Sequence, residues 1–175
     1  MGLNMELFTN DLMLRLVNDN DIDEVSKMWD WEQNPISADK AREVILNIQN
    51  NHKKTKHGHI YHLCLAVFEK GKNNIIGWCG LDGKCAPGKT VIFYMIAKEF
   101  RNKGYATQCA KKLIEYAFDT IDLESVYGGC YRENIASYLV QAKAGMLLYE
   151  LEKESGDPHF YIDKDIYAKL KQLRK

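Results

Sequence analysis

At 175 residues the chain is long enough for one domain with a sizeable core, and its 46% apolar and 27% charged residues describe an ordinary globule, not a disordered or fibrous chain. The formal net charge is +0, which argues against a general nucleic-acid-binding surface. No apolar run is long enough to cross a bilayer, and the first ten residues lack the basic start and apolar core of a secretion signal. Cys64, Cys79, Cys85, Cys109 and Cys130 form no C-x-x-C pair; reduced, structural cysteines in a cytoplasmic protein are the expectation.

In chain order, residues 12–17 read as a first strand. Asp19 or Asn20 can cap a helix reaching about Trp31, and Pro35 breaks it. Ser37 can cap a second helix, in which Ala41, Val44, Ile45 and Ile48 form one stripe. Residues 50–59 are polar and basic and read as a loop. His52, His57, His59 and His62 gather around it, but no Cys or carboxylate stands at a supporting spacing, so no metal is expected. Strands are expected over 60–68 and 75–81, with turns at 71–74 and 82–88. Residues 91–97 are apolar at every side chain, which suits a strand buried on both faces. After a basic link, Ala106, Ala110, Leu113 and Ala117 recur at helical spacing. A strand over 124–130 follows, then a helix over 134–144 started by Asn134 and stopped by Gly145. Strands over 146–152 and 159–166 flank a turn at 156–158, and the end from Lys169 reads as a solvated basic tail. No repeat or linker divides the chain, so residues 1–175 are expected to form a single domain.

The link between the apolar strand and its helix has a chemical use. The first N–H groups of a helix have no intrahelical partner, and the helix dipole adds partial positive charge there, so a phosphate fits that end. Gly104 and Ala106 are small enough for the backbone to close on an anion, and Arg101 and Lys103 add full charges. A diphosphate would suit the turn best.

From Arg101 to Ala106 this turn reads R-x-x-G-x-A, and Asn134-Ile135-Ala136-Ser137 with Gly145-Met146 stands downstream. The first element resembles the Q/R-x-x-G-x-G/A signature of the GNAT superfamily of acetyl-CoA-dependent N-acetyltransferases. The second is similar to the N-x-x-S…G-F/M segment of the subgroup that contains ribosomal-protein N-terminal acetyltransferases. The resemblance covers most of the chain and is most specific between Ile75 and Met146. It implies a single α/β (α+β) domain with a mixed, mostly antiparallel sheet, splayed in its middle and flanked by helices. It also implies transfer of an acetyl group from acetyl-CoA to a primary amine by direct attack, without a metal. The acceptor would be a peptide N-terminal α-amine or a small-molecule amine, and the protein a monomer or homodimer.

The resemblance also implies where the co-substrate lies. Its pantetheine arm would pair with the backbone of Tyr94, Met95 and Ile96, and its diphosphate would sit on Arg101, Asn102, Lys103, Gly104, Tyr105 and Ala106, with Thr107 in reach. Asn134 would bond the arm, a role compatible with capping a helix. Ser137 would stand near the thioester sulfur and give the thiolate a proton or hydrogen bond. The first two helices would border the acceptor cleft, with Trp29, Trp31 and Glu32 as candidate lining residues; the ordinary alternative for the tryptophans is packing against the sheet.

Two positions depart from common relatives. Gln141 stands where many carry an acidic tyrosine, and Val91 stands near the position of a glutamate base. Asp82, His59, Tyr94 and Glu32 remain as base candidates, and each can equally be an ordinary surface or core residue. Neutralising a lysine-like ammonium of pKa about 10.4 at pH ~7 costs roughly 4–5 kcal/mol, against about 1–1.5 kcal/mol for a peptide α-amine. A positioned base supplies about 10²–10⁴-fold, so a chain without a strong base suits an α-amine better. A CoA-binding module without catalysis is the competing class. A P-loop nucleotide site fails because the turn lacks the G-K-S/T ending.

Overall fold

Strands β1 (Glu6–Phe8) and β2 (Leu12–Arg15) form a hairpin, and a 3-10 turn (Asp19–Asp21) leads into α1 (Ile22–Met28) and then α2 (Ala38–His52). An antiparallel run of β3 (His62–Glu69), β4 (Gly77–Ala86) and β5 (Lys89–Ile96) follows. A second 3-10 turn (Lys98–Phe100) leads to α3 (Tyr105–Asp119). The remainder is β6 (Ser125–Gly129), α4 (Ile135–Ala144), β7 (Leu147–Leu151), β8 (Pro158–Asp163) and α5 (Lys164–Leu173). This computed structural model describes residues 5–29 and 34–173.

The eight strands share one sheet in the order β1-β2-β3-β4-β5-β6-β8-β7. Its neighbours are antiparallel except β5 and β6, which run parallel and are in register only at Val91 and Tyr127. Beyond that pair β6 no longer covers the edge of β5, and the sheet parts in its middle. Both faces of β3 are buried from Leu63 to Phe68, because α2 packs on β3 while α3 crosses β4 and β5. Ser37 starts α2 by accepting the Lys40 N–H, and Ala41, Val44, Ile45 and Ile48 are the buried stripe that fastens it.

Several local expectations change. The first cap is Asn18, whose side chain accepts from Asn20 N while Asp21 Oδ2 accepts from Asn18 N; the helix opens as a 3-10 turn. It closes at Met28, and the expected end at Trp31 lies outside the described residues. Residues 50–52 belong to α2, held in by the burial of Asn51 and His52. Residues 82–86 are strand, not turn: β4 continues through polar Asp82 and Lys84 to Ala86, with an irregularity in its pairing to β5. β5 itself is buried at Ile92, Met95 and Ile96 but only partly at Val91, Phe93 and Tyr94, since the parted sheet leaves a cleft there. The basic end is helix α5, anchored where Tyr167 stacks on Phe118 at 5.0 Å and Lys171 meets Asp119 at 2.8 Å. The three-residue edge strand β1 has no counterpart in the sequence reading.

Arg15 and Asp21 tie β2 to the start of α1 through two hydrogen bonds of 2.8 and 2.7 Å. Burial alone would raise the Asp21 carboxyl, but the Arg15 hydrogen bond, the Asn18 N–H and the Arg15 charge outweigh it and hold it below its ordinary value. A carboxyl lowered on folding stabilises above its unfolded pKa of about 3.9 and loses that contribution as pH falls through the folded value. Asp21→Asn is therefore expected to cost about 2 kcal/mol at neutral pH and to lower Tm by roughly 4–8 °C. Thermal melts should find the gap to wild type closing below about pH 4.

Candidate active site

The turn before α3 is shaped by Gly104, which holds the left-handed conformation at φ +77°. Nothing lies within 4 Å of where its Cβ would be, so the demand for glycine is conformational, about 1 kcal/mol for another residue. Asn102 is also left-handed, at φ +63°. No side chain caps α3, and its ladder starts with Gln108 N donating to Gly104 O at 3.0 Å. The first N–H groups of the helix therefore have no intrahelical acceptor. Arg101 Nε donates to Ile96 O at 2.9 Å, which fixes the guanidinium beside the end of β5.

A cavity of about 800 Å³ joins these parts. Tyr94, Met95 and Ile96 of β5 form one wall, and Arg101, Asn102, Gly104, Tyr105, Ala106 and Thr107 form its end. The opposite wall is α4, through Asn134, Ser137, Val140 and Lys143. Lys103 is not in this lining: its Nζ lies 3.8 Å from Glu69 Oε1, which also accepts the Tyr105 hydroxyl at 2.7 Å. Lys143 supplies a cation from α4 that the sequence reading missed. Its signal was there: Ala136, Val140 and Lys143 lie at helical spacing on the face that begins at Asn134.

Asn134 Oδ1 accepts from Ser137 N at 3.0 Å and so caps α4. The Tyr94 hydroxyl is 2.9 Å from Ser137 Oγ and donates to Ser137 O at 3.2 Å. Burial pushes Tyr94 up to about 12, with the Ser137 contact opposing, so it is a protonated phenol at neutral pH. Gln141 is buried behind the pair, with Nε2 3.5 Å from Ser137 Oγ and 3.4 Å from Ser137 O. A Cβ at Gly128 on β6 would stand 2.2 Å from Gln141 Oε1, so a larger residue there would have to displace that amide. The hydroxyl beside Ser137 thus comes from Tyr94 on β5.

The other face of β5 borders a second cavity, of about 390 Å³, lined by Trp29, Trp78, Val91, Phe93 and Met95 with His62, Cys64, Asp82 and Cys85. Met95 lies in the walls of both cavities. Trp29 lines this cavity and packs edge-on to Trp78 on the sheet at 5.1 Å and 81°. Trp31 and Glu32 lie outside the described residues. His59 is exposed, bridged to Lys56, and is not in either lining. Asp82 is in the wall, with its Oδ2 3.1 Å from His62 Nδ1. Burial alone would raise the Asp82 carboxyl, but the Lys84 N–H, the Cys85 thiol and the charges of His62 and Lys84 hold it below its ordinary value. His62, in the same wall, was not among the expected site residues. Among the described residues no group of three or more His, Cys, Asp or Glu is arranged to hold a metal ion, and no helix is long and apolar enough to cross a membrane.

Residues 11–147 match the family described as "Acetyltransferase (GNAT) domain". A stretch of 55 residues is 38% identical to the "Uncharacterized N-acetyltransferase YnaD" of Bacillus subtilis (strain 168), covering 31% of this chain and 32% of that protein; the match thus spans about a third of the relative's length. Among solved structures, the ribosomal-protein-S5-alanine acetyltransferase of Vibrio fischeri aligns over 92% of this chain and 97% of its own, with TM-score 0.73 and 15% identity. The ribosomal L7/L12 alpha-N-protein acetyltransferase RimL, in complex with coenzyme A through a cysteine disulfide, aligns over 93% and 99% with TM-score 0.70 and 18% identity. At these identities the two structures establish the shared fold.

Proposed function

The chain belongs to the GNAT acetyltransferases, and from that premise we propose that it moves an acetyl group from acetyl-CoA to a primary amine by direct attack. One observation carries the reading. The edge of β5 that β6 leaves uncovered runs, inside a single cavity, into an uncapped helix N-terminus flanked by Arg101. An extended pantetheine arm needs a strand edge at Tyr94–Ile96, and a diphosphate needs the N–H groups from Gly104 to Thr107. The spacing of the two along one chain segment suits a ligand that has both. Arg101 supplies charge at one side of the diphosphate, Lys143 at the other. Asn134 spends its Oδ1 on the cap and keeps its amide donors for the arm.

In this reading the thioester lies beside Ser137 and Tyr94. A backbone N–H of β5 polarises its carbonyl as negative charge develops, and the paired hydroxyls receive the departing thiolate. The acceptor amine enters from the second cavity, past Met95, with Trp29 in its wall. Among the described residues the apolar lining there has Asp82 as its one carboxylate, which suits a singly charged amine better than a polyamine or aminoglycoside. The free cysteines suit a reducing compartment such as the cytoplasm.

The test is acetyl-CoA binding by calorimetry together with thiol release over a panel of peptides, aromatic amines, spermidine and kanamycin. Binding with turnover of peptide α-amines in preference to the polycations is expected. Binding without turnover on any amine would instead favour a catalytically silent CoA-binding module.

A further inference from the structure

We propose that His62 is the general base for the acceptor amine, with Asp82 as its positioning residue. This rests on the acetyl-transfer reading above. The pair is a product of sheet register: His62 on β3 faces Asp82 on β4, which faces Val91 on β5, so the three lie in one row across the sheet. Directly opposite side chains on neighbouring strands have Cβ atoms about 4.5–5.5 Å apart, which brings His62 Nδ1 to 3.1 Å from Asp82 Oδ2. The approach is off the N–H axis, and Nδ1 has no aligned hydrogen bond at rest. Such contacts commonly straighten when substrate binds. The nearby carboxylate favours the proton on Nδ1 and leaves the lone pair on Nε2.

The ring is held in place as well as oriented. It stacks on Phe93 with centroids 5.7 Å apart and planes 11° from parallel, and Phe93 is two residues from Met95, the residue common to both cavities. His62 and Met95 both line the second cavity, so the ring and the wall shared with the first cavity border the same acceptor space. The titratable groups facing the ring are Asp82, Lys84 and Cys85 of β4 and Cys64 of β3; β5 faces it with Val91, Phe93 and Met95. Burial lowers the His62 pKa, with Asp82 opposing and Lys84 adding to the shift, so the imidazole is neutral at pH ~7 and ready to accept a proton.

The step balances. The substrate ammonium gives a proton to Nε2, and its freed lone pair forms the C–N bond as the C–S bond breaks. The second nitrogen proton passes to the leaving sulfur through Ser137 and Tyr94, leaving an amide, a free thiol and a proton that His62 returns to solvent. An imidazole held below its ordinary value by burial is closer in basicity to a peptide α-amine than to a lysine-like amine. The base therefore fits the acceptor class that the missing glutamate at Val91 already favours: an α-amine beside a compact apolar or aromatic group.

L-Phenylalaninamide is the probe, with histidine ring resonances read by NMR and turnover read by thiol release. His62 is assigned by the signals lost in His62→Gln. The expected result is that the amide shifts the His62 resonances and that His62→Gln lowers turnover of it by about 10²–10⁴-fold with acetyl-CoA affinity unchanged. The acid limb of kcat/KM should flatten in the same variant. Unmoved His62 resonances, shifted resonances without turnover, or His62→Gln turnover within about threefold of wild type would each overturn the assignment. A wild-type protein that fails to bind acetyl-CoA would instead sink the underlying reading, and calorimetry sees that separately.

Discussion

Arg101→Glu is expected to raise the dissociation constant for acetyl-CoA by about 10²-fold or more. A charge-assisted hydrogen bond is worth about 1.5–3 kcal/mol, and the substitution both removes the cation and sets a carboxylate against the diphosphate. The effect should be larger than that of a typical surface arginine because Arg101 is not free to swing away: its Nε is committed to Ile96 O. The same tether means that the glutamate also releases the end of β5, where the arm of the ligand is to pair. Lys103→Glu is the internal control. Lys103 sits by Glu69 and outside the cavity, so it should change affinity several-fold less. Calorimetry at two salt concentrations would separate a contact from a long-range field, since a field is screened within about 8–10 Å at physiological ionic strength. An Arg101→Glu protein that binds acetyl-CoA as tightly as wild type would remove the diphosphate from this turn.

How far the site can be read ahead of the structure depends on whether its parts are local. The proposed anion cradle falls within one short stretch, Arg101 to Thr107, and a glycine followed by helical periodicity carries its geometry in the chain itself. The Asn134 cap and the Gly145 stop are local in the same sense. The His62–Asp82 pair is not. Its members are far apart in sequence, and only the β3–β4 register brings them opposite each other. Reading residues 82–88 as a turn hid the pair, because it took Asp82 out of the strand that presents it. The tail failed for a related reason. Ile166 looked like the last strand residue, so the stripe it forms with Tyr167 and Leu170 was cut in two and α5 went unseen. Lys103 departs from that local pattern: its Nζ lies 3.8 Å from Glu69 Oε1 and outside the cavity lining.

The Tyr94–Ser137 pair leads to the second large effect. The double variant Tyr94→Phe with Ser137→Ala is expected to lower kcat for the best acceptor by about 10²–10⁴-fold, the usual range for a positioned acid, while leaving acetyl-CoA affinity within about threefold. Each single change should cost nearly as much as both together. The two oxygens lie 2.9 Å apart and act as one donor, and groups that act as a unit are strongly non-additive. The pH profile discriminates this from a packing defect. A phenol at about 12 stays protonated through the working range, so the wild-type basic limb below pH ~9 should reflect other groups. Thioesters with more acidic leaving thiols should lose less from the mutations, because a weaker base needs less help to depart. If both single variants kept full kcat with the natural thioester, the thiolate would be leaving without these hydroxyls, and the cavity's sulfur end would have to be sought elsewhere along α4.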